Sequence, residues 1–358
     1  MYNLIIILEW AGLFCVAIYA FTLYFFLFLK VGASSNGVIT YAPRTIIIPF
    51  RNEKENIQQL VESLIKQTEQ SNREVEVVLI DDHSSDGSFD LVGSLIKHRD
   101  NFVLSKSPGE GKKAAIRFGI GMARFDRVIT LDADVVLSES WLEQALHLQN
   151  SSLLNVLPVQ LKTNTAHWFE RVEWDFLQGI TLLSAENNRA LMCNGAHLEF
   201  SRSLFEKEIP NEHSVSSGDD IFLLEIAKKT GKVGVCFQPK MIVQTYGSSG
   251  WKEFLSRRVR WSGKNMRVRD NDMLAFGVVY SIAQVFALIA LCIGDYYPLI
   301  VKVLVEMAVF IDAKRRINLP SNVMAAFSYL ALLPFYTLLI FGASIFYKPK
   351  WKGRDVKS

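Results

Sequence analysis

The chain has 358 residues, half of them hydrophobic and 21% charged, with a formal net charge of +3. A balance this near neutral excludes a polyelectrolyte and gives no reason to expect nucleic acid as a partner, while the length admits one catalytic domain plus several membrane spans. The four cysteines (Cys15, Cys193, Cys236 and Cys292) form no CxxC pair and no zinc spacing, which excludes a zinc module and reads as the free thiols of a reducing compartment.

Residues 4–29 are almost wholly apolar, with Glu9 the one charge. A helix needs about 20 such residues to cross a bilayer, whereas the apolar core of a cleaved leader is only about 7–15 long. An uncleaved anchor over residues 1–30 is expected, followed by a linker over 31–42.

Residues 43–249 read as alternating strands and helices. Apolar runs at 44–50, 75–80, 102–104 and 128–131 suggest strands, and apolar residues at helical spacing suggest helices over 53–67, after 86–87 and over 112–123. This alternation predicts an α/β domain with a mostly parallel, doubly wound sheet. Polar clusters follow the strands directly: Arg51-Asn52-Glu53, then Asp81 to Asp86, then Asp132-Ala133-Asp134. Ligands of open α/β sheets bind at the carboxyl ends of strands, so the three clusters are expected to meet in one crevice.

Each cluster has a chemical reading and a plain one. Asp132 and Asp134 can present oxygen to a hard divalent cation that also holds phosphates, or can serve as turn residues. Asp82 can accept hydrogen bonds from a nucleoside, while Asp81 or Asp86 can cap a turn. Gly111-Lys112 opens a helix whose amino end and lysine suit a diphosphate, or forms a solvated basic turn. In Gly218-Asp219-Asp220 the carboxylates are a helix cap or a general base.

Residues 251–269 are amphipathic, with Trp251, Phe254, Leu255 and Val259 opposite a dense positive face that includes Arg257, Arg258 and Arg260. An interfacial helix over 250–272 is expected. A second aromatic helix over 168–183 is explained by packing alone. Further apolar runs follow in a membrane region over 273–347. The run at 274–293 can span. That at 296–311 is short and interrupted by Lys302 and Glu306, and that at 323–346 carries Pro334. Lys30 and Lys314-Arg315-Arg316 put residues 31–273 on the cytoplasmic side by the positive-inside rule. A full crossing by the last run would leave the basic tail at 348–358 outside. A re-entrant hairpin broken at Pro334 is therefore expected, with a kinked full crossing as the alternative.

In this order the clusters resemble the family 2 glycosyltransferases of GT-A fold. The likeness is to the membrane-embedded branch, which includes hyaluronan, cellulose and poly-N-acetylglucosamine synthases and ceramide glucosyltransferase. It extends over residues 43–265. Pro49-Phe50-Arg51-Asn52-Glu53 looks like the family's opening motif. Asp81 to Asp86 looks like its nucleotide-binding acidic motif. Gly111-Lys112 looks like the diphosphate lysine, Asp132-Ala133-Asp134 the metal motif and Asn194-Gly195-Ala196 the acceptor-side turn. Gly218-Asp219-Asp220 resembles the segment with the catalytic base, and Arg257 to Trp261 the terminal (Gln/Arg)xxRW motif.

The resemblance implies an inverting transfer from a nucleotide sugar, expected to be a UDP-sugar. Asp220, flanked by Asp219, would be the base. Pro49, Arg51, Glu53, Asp81, Asp82, Lys112 and Asp132 would hold the donor. Asp134 with Asp132 would bind Mg2+ or Mn2+, and Asn194, Gly195, Arg257, Arg260 and Trp261 would face the acceptor and diphosphate. Arg257 in place of the glutamine usual in processive synthases, together with few spans, favours a lipid or membrane-proximal glycan acceptor over a processive polysaccharide synthase. The rivals are a sugar nucleotidyltransferase and an inactive membrane scaffold. The small membrane part and the lack of eukaryotic targeting signals lead to the expectation of a bacterial inner membrane.

Overall fold

Strands Arg44–Phe50 (β1), Val75–Asp81 (β2) and Arg127–Leu131 (β4) are buried at every position in a computed structural model of the chain. Their apolar, β-branched runs suit a parallel sheet covered on both faces. The structure describes residues 2–29, 41–148, 152–162, 167–205, 219–265, 270–346, 350–351 and 354–355. They divide into two units: 34–162 with 193–246, and 1–33 with 163–192 and 247–358. The expected continuous domain over 43–249 is therefore interrupted, because residues 163–192 group with the terminal helices.

In the first unit Phe102–Lys106 (β3), Leu154–Val156 (β5), His197–Ser201 (β7) and Val233–Val235 (β8) complete a seven-stranded sheet in the order β3-β2-β1-β4-β7-β5-β8. Four of its six pairings are parallel, and β7 runs antiparallel to both β4 and β5. The sheet is mostly parallel, as expected, with one reversed strand. Val159–Leu161 (β6) and Val243–Thr245 (β9) pair separately. Helices Ile57–Gln70 (α2), Ser88–Leu95 (α3), Lys112–Met122 (α4), Trp141–Leu146 (α5) and Asp219–Thr230 (α7) belong to the same unit. Helix α2 was expected from Glu53 but starts at Ile57. The backbone N–H groups of Glu53 and Lys54 donate to Ser88 Oγ and Asp86 Oδ2, each at 3.0 Å, which holds 53–56 in a turn.

Strand β1 pairs with β2 as far as Phe50 but with β4 only as far as Ile47. Pro49, which has no N–H to offer a neighbour, stands where β1 and β4 have parted. Strand order also reverses here, with β2 and β3 on one side and β4 on the other. Such a switch point is where open α/β sheets bind their ligands.

The second unit holds Tyr2–Leu27 (α1), Trp168–Glu186 (α6), Trp251–Asn265 (α8), Asn271–Cys292 (α9), Tyr297–Ile317 (α10) and Val323–Phe346 (α11). Three of these, α1, α9 and α11, are long and apolar enough to cross a membrane. Helix α10 was expected to be short, yet it runs 21 residues with Lys302 and Glu306 fully buried and paired at 2.7 Å. Pairing makes burial of the two charges tolerable. The hairpin expected at Pro334 is not present: α11 is continuous through it. Pro334 has no N–H for the Leu330 carbonyl, and Lys302 Nζ donates to that carbonyl at 3.4 Å instead. Lys30, Lys348, Lys352 and Lys357, on which the topology expectation partly rests, lie outside the described residues.

Candidate active site

The loops after β1 and β2 are laced together at the switch point. Arg51 Nη1 donates to the Asp82 carbonyl at 2.8 Å, and Asn52 exchanges hydrogen bonds with Ser84 and Ser85 at 3.0 and 2.8 Å. The Asp81 carboxylate is 1% exposed and accepts the Ser84 N–H at 3.1 Å, so it is committed to the turn. Asp86 also does turn work, accepting the Ser88 N–H at 2.9 Å. Asp82 is different. Its Oδ1 accepts the N–H of Gly111 at 2.8 Å, with His83 Nδ1 at 3.3 Å, and so ties the β2 loop to the start of α4. Gly111 has φ +94, a conformation that favours glycine.

One residue on, Lys112 Nζ forms an ion pair with Asp132 and reaches the Gly195 carbonyl at 3.5 Å. Gly195 is nearby because β7 runs antiparallel to β4. The register His197↔Leu131 sets the start of β7 beside the end of β4, and Asp132 N donates to Ala196 O at 3.2 Å. The N–H of Gly195 then donates to Asp220 Oδ2 at 3.2 Å. A side chain at 195 would place its Cβ 3.3 Å from the Asp220 carboxylate, tighter than most contacts. Asn194 Oδ1 accepts the Ala196 N–H at 3.0 Å and shapes the turn. Asp82, Asp132 and Asp220, far apart along the chain, are thus joined through residues 111, 112 and 195.

Asp134 accepts from Thr245 Oγ1 at 3.4 Å. Burial, reinforced by the negative charges of Asp132 and Glu53 and opposed by Lys112, pushes its carboxyl up to about 6. The side chain of Asp219 lies outside the described residues, although its backbone opens α7. Thr245 has no sequence signal, being an isolated threonine on a three-residue strand.

In the second unit, Arg257, Arg260 and Trp261 all lie on α8. Arg257 pairs with Glu253 at 2.7 Å, one helical turn away. Trp261 packs on Trp174 with ring centroids 5.8 Å apart. Arg258, expected on the exposed basic face, is instead 4% exposed. Its guanidinium bonds Glu173 at 2.6 Å and lies over the rings of Trp261 and Phe254, at 4.4 and 4.7 Å. Two carboxylates of α6 supply the counter-charge, Glu173 and, at 3.9 Å, Glu170. Burial pushes the Glu173 carboxyl up while Arg258 pulls it down. The signal was available: Glu170 and Glu173 sit about one turn apart on an aromatic-rich helix. Close by, an open apolar groove of about 270 Å³ is lined by Phe169, Trp251, Leu255, Leu332, Tyr336 and Leu339 among others.

The family described as glycosyl transferase family 2 matches residues 45–209, just under half of the chain. The chain carries a glycosyl transferase family 2 domain. The undecaprenyl-phosphate 4-deoxy-4-formamido-L-arabinose transferase of Proteus mirabilis is 39% identical to it over 93 residues, 25% of this chain and 28% of the relative. The enzyme of the same name from Photorhabdus laumondii is 31% identical over 93 residues, 25% of this chain and 29% of the relative. The chain thus spans less than a third of the length of these curated relatives. The mannosyltransferase PcManGT from Pyrobaculum calidifontis, solved with GDP-Man and Mn2+, superposes with a TM-score of 0.59 at 16% identity, covering 96% of this chain and 98% of that one. The likeness is one of fold, and the mostly parallel α/β sheet is the GT-A arrangement.

The family 2 domain can be tested for a divalent cation by its donor set. Among the described residues no group of three His, Cys, Asp or Glu side chains forms a protein-only cage. Asp134 is instead a buried carboxyl in a local excess of negative charge. One or two carboxylates with water and substrate phosphates are what Mg2+ takes, so the residues fit such a group.

Proposed function

We propose that this protein transfers a sugar from a nucleotide sugar, expected to be a UDP-sugar, to a polyprenyl-phosphate lipid in its membrane. The observation that carries the reading is the hydrogen-bonded chain from Asp82 through Gly111 and Lys112 to Asp132, and through Gly195 to Asp220. It links Asp82, Lys112, Asp132 and Asp220, and this supports reading them as nucleoside acceptor, diphosphate cation and candidate base of one site. The acceptor class is supported by the undecaprenyl-phosphate transferases that resemble the domain.

In this mechanism Asp82 and the 51–53 turn hold the nucleoside, and Lys112 neutralises the diphosphate. Asp134 and Asp132 would hold Mg2+ or Mn2+, whose charge would stabilise the departing diphosphate. An acceptor oxygen forms the new bond to the anomeric carbon from the face opposite the diphosphate. The old C–O bond breaks with its electron pair leaving on the diphosphate, which inverts the centre. A lipid phosphate already carries negative charge, since its second pKa is about 6. Asp220 then positions the acceptor turn through Gly195 and takes up whatever proton remains on the phosphate. With a hydroxyl acceptor, Asp220 would be an obligatory base worth about 10²–10⁴-fold. Arg257, Arg260 and Trp261 are assigned to the acceptor and diphosphate, and the apolar groove on α8 and α11 suits the lipid's isoprenoid chain.

The test is mass spectrometry of products from purified protein given polyprenyl phosphate and a panel of UDP-sugars and GDP-mannose, with Asp220→Asn alongside. A glycosyl polyprenyl phosphate, with Asp220→Asn losing less than about 10²-fold, is the expected result. Product only on a free hydroxyl, abolished in Asp220→Asn, would replace the lipid phosphate by a hydroxyl acceptor. Absence of any transfer would refute the assignment.

A further inference from the structure

A polar cluster is buried among the helices of the second unit and includes none of the residues assigned above. Lys302 and Glu306 on α10 are 0% exposed and paired at 2.7 Å. Tyr19 on α1 donates its hydroxyl to Glu306 Oε1 at 2.9 Å. Gln284 on α9 is also 0% exposed. The fourth helix contributes backbone. Lys302 Nζ donates to the carbonyl of Leu330 on α11 at 3.4 Å.

That carbonyl is a particular one. In a regular helix it would accept the N–H four residues on, but residue 334 is proline. A carbonyl left open at a proline is where a helix bends, unless another donor fills it. Lys302 supplies that donor, and Glu306 compensates its charge.

What lies beyond Pro334 connects this cluster to Glu173 and Arg258. Tyr336 is two residues on, and its hydroxyl donates to Glu173 Oε1 at 2.6 Å. Glu173 holds Arg258, which lies over Trp261 at 4.4 Å. Tyr336 and its neighbours Phe335 and Leu339 also line the apolar groove.

We propose that Lys302 is a positioning residue for the lipid side of the reaction: by donating to the carbonyl that Pro334 leaves open, it fixes the course of α11 and hence the Tyr336–Glu173–Arg258 contacts behind Trp261. The inference rests on the transferase reading above, and its structural half is testable without it.

The experiment is a double-mutant cycle on the full chain in lipid nanodiscs. Lys302→Met with Glu306→Gln removes both charges without stranding either, Pro334→Ala restores the missing N–H, and the third variant combines them. Thermal midpoints need no substrate. The charge-free variant is expected to melt several degrees lower, Pro334→Ala to change little, and the combination to recover most of the loss. Equal losses with and without Pro334→Ala would overturn the proposal, including the case in which neither form folds. A charge-free variant that folds only alongside Pro334→Ala is the supporting extreme.

Kinetics then test the positioning role. The charge-free variant is expected to raise the KM for polyprenyl phosphate roughly tenfold, with the donor KM unchanged, and Pro334→Ala to reverse this. Recovery in melting with no effect on acceptor KM would sink the positioning role. Should the wild-type protein transfer no sugar, the transferase reading fails while the melting cycle still decides whether Lys302 serves Pro334.

Discussion

Lys112 at the start of α4 and Asp132 at the end of β4 form an ion pair at the sheet's switch point, and the same ammonium reaches the Gly195 carbonyl at 3.5 Å. One cation thus faces both the Asp132-Ala133-Asp134 segment and the Asn194-Gly195-Ala196 turn. Hydrogen bonds to charged groups contribute about 1.5–3 kcal/mol. Lys112→Ala is expected to lower kcat/KM for the nucleotide sugar by roughly 10–100-fold, and Lys112→Arg to restore only part, because a planar fork replaces a point charge. Initial-rate kinetics over a donor series check this; an unchanged kcat/KM would remove Lys112 from the diphosphate site.

If the proposed function holds, Asp134 would tie cation binding to acidity. Its carboxyl is pushed up to about 6 by burial and by Asp132 and Glu53. Cation affinity should therefore fall as pH drops through about 6, because the proton must be displaced first. Asp134→Asn should abolish the response to added Mg2+ or Mn2+ at every pH. Titration of the cation against activity between pH 5 and 8 reads both effects.

Stability should respond to pH through two opposed groups in the first unit. His197 is fully buried, with Nδ1 against the Pro158 carbonyl at 3.1 Å and Nε2 accepting the Trp141 indole N–H at 3.2 Å. Both nitrogens are committed in the neutral ring, and burial pushes the pKa down to about 4. The unfolded chain binds this proton near 6.5, so stability is full above that value and is lost as pH falls toward 4. Asp134 works the other way. In the cation-free protein the folded state holds the proton longer, so stability falls as pH rises from the ordinary carboxylate value through about 6. Each effect amounts to about 3 kcal/mol at most. His197→Gln should expose the Asp134 slope, and Asp134→Asn the His197 slope. Melting curves from pH 4 to 7 without divalent cations distinguish them.

Arg258→Met leaves Glu173 buried without its counter-ion, a change that costs roughly 3–5 kcal/mol in comparable pairs. Adding Glu173→Gln should recover much of the loss, as read by melting in nanodiscs. Failure of the second change to help would mean that the pair contributes through packing of Arg258 on Trp261 and Phe254 rather than through charge.

Strands β1, β2 and β4 were legible because burial on both faces leaves an unbroken apolar run, and the polar residues that end them stand out. The meeting of Asp132 with Asn194-Gly195 was not legible. It depends on β7 running antiparallel to β4, a pairing made across more than sixty residues that periodicity cannot encode. The burial of Arg258 was not legible, because a helical wheel assigns arginine to water unless the facing helix is known to carry Glu170 and Glu173. The continuity of α11 through Pro334 was not legible, because Lys302, which fills the open carbonyl, lies 32 positions earlier, a long way for any local pattern to reach.

The excursion of the chain into the helical unit between β6 and β7 has a practical consequence. Trimming from the two ends to isolate a soluble enzyme would not remove α6, whose side chains are buried along most of its length, Glu173 and Asp175 included. Such a fragment would expose that helix with its carboxylates stripped of their partners and would be expected to precipitate. Replacing residues 163–192 with a short flexible bridge is the cut that respects how the polypeptide is threaded.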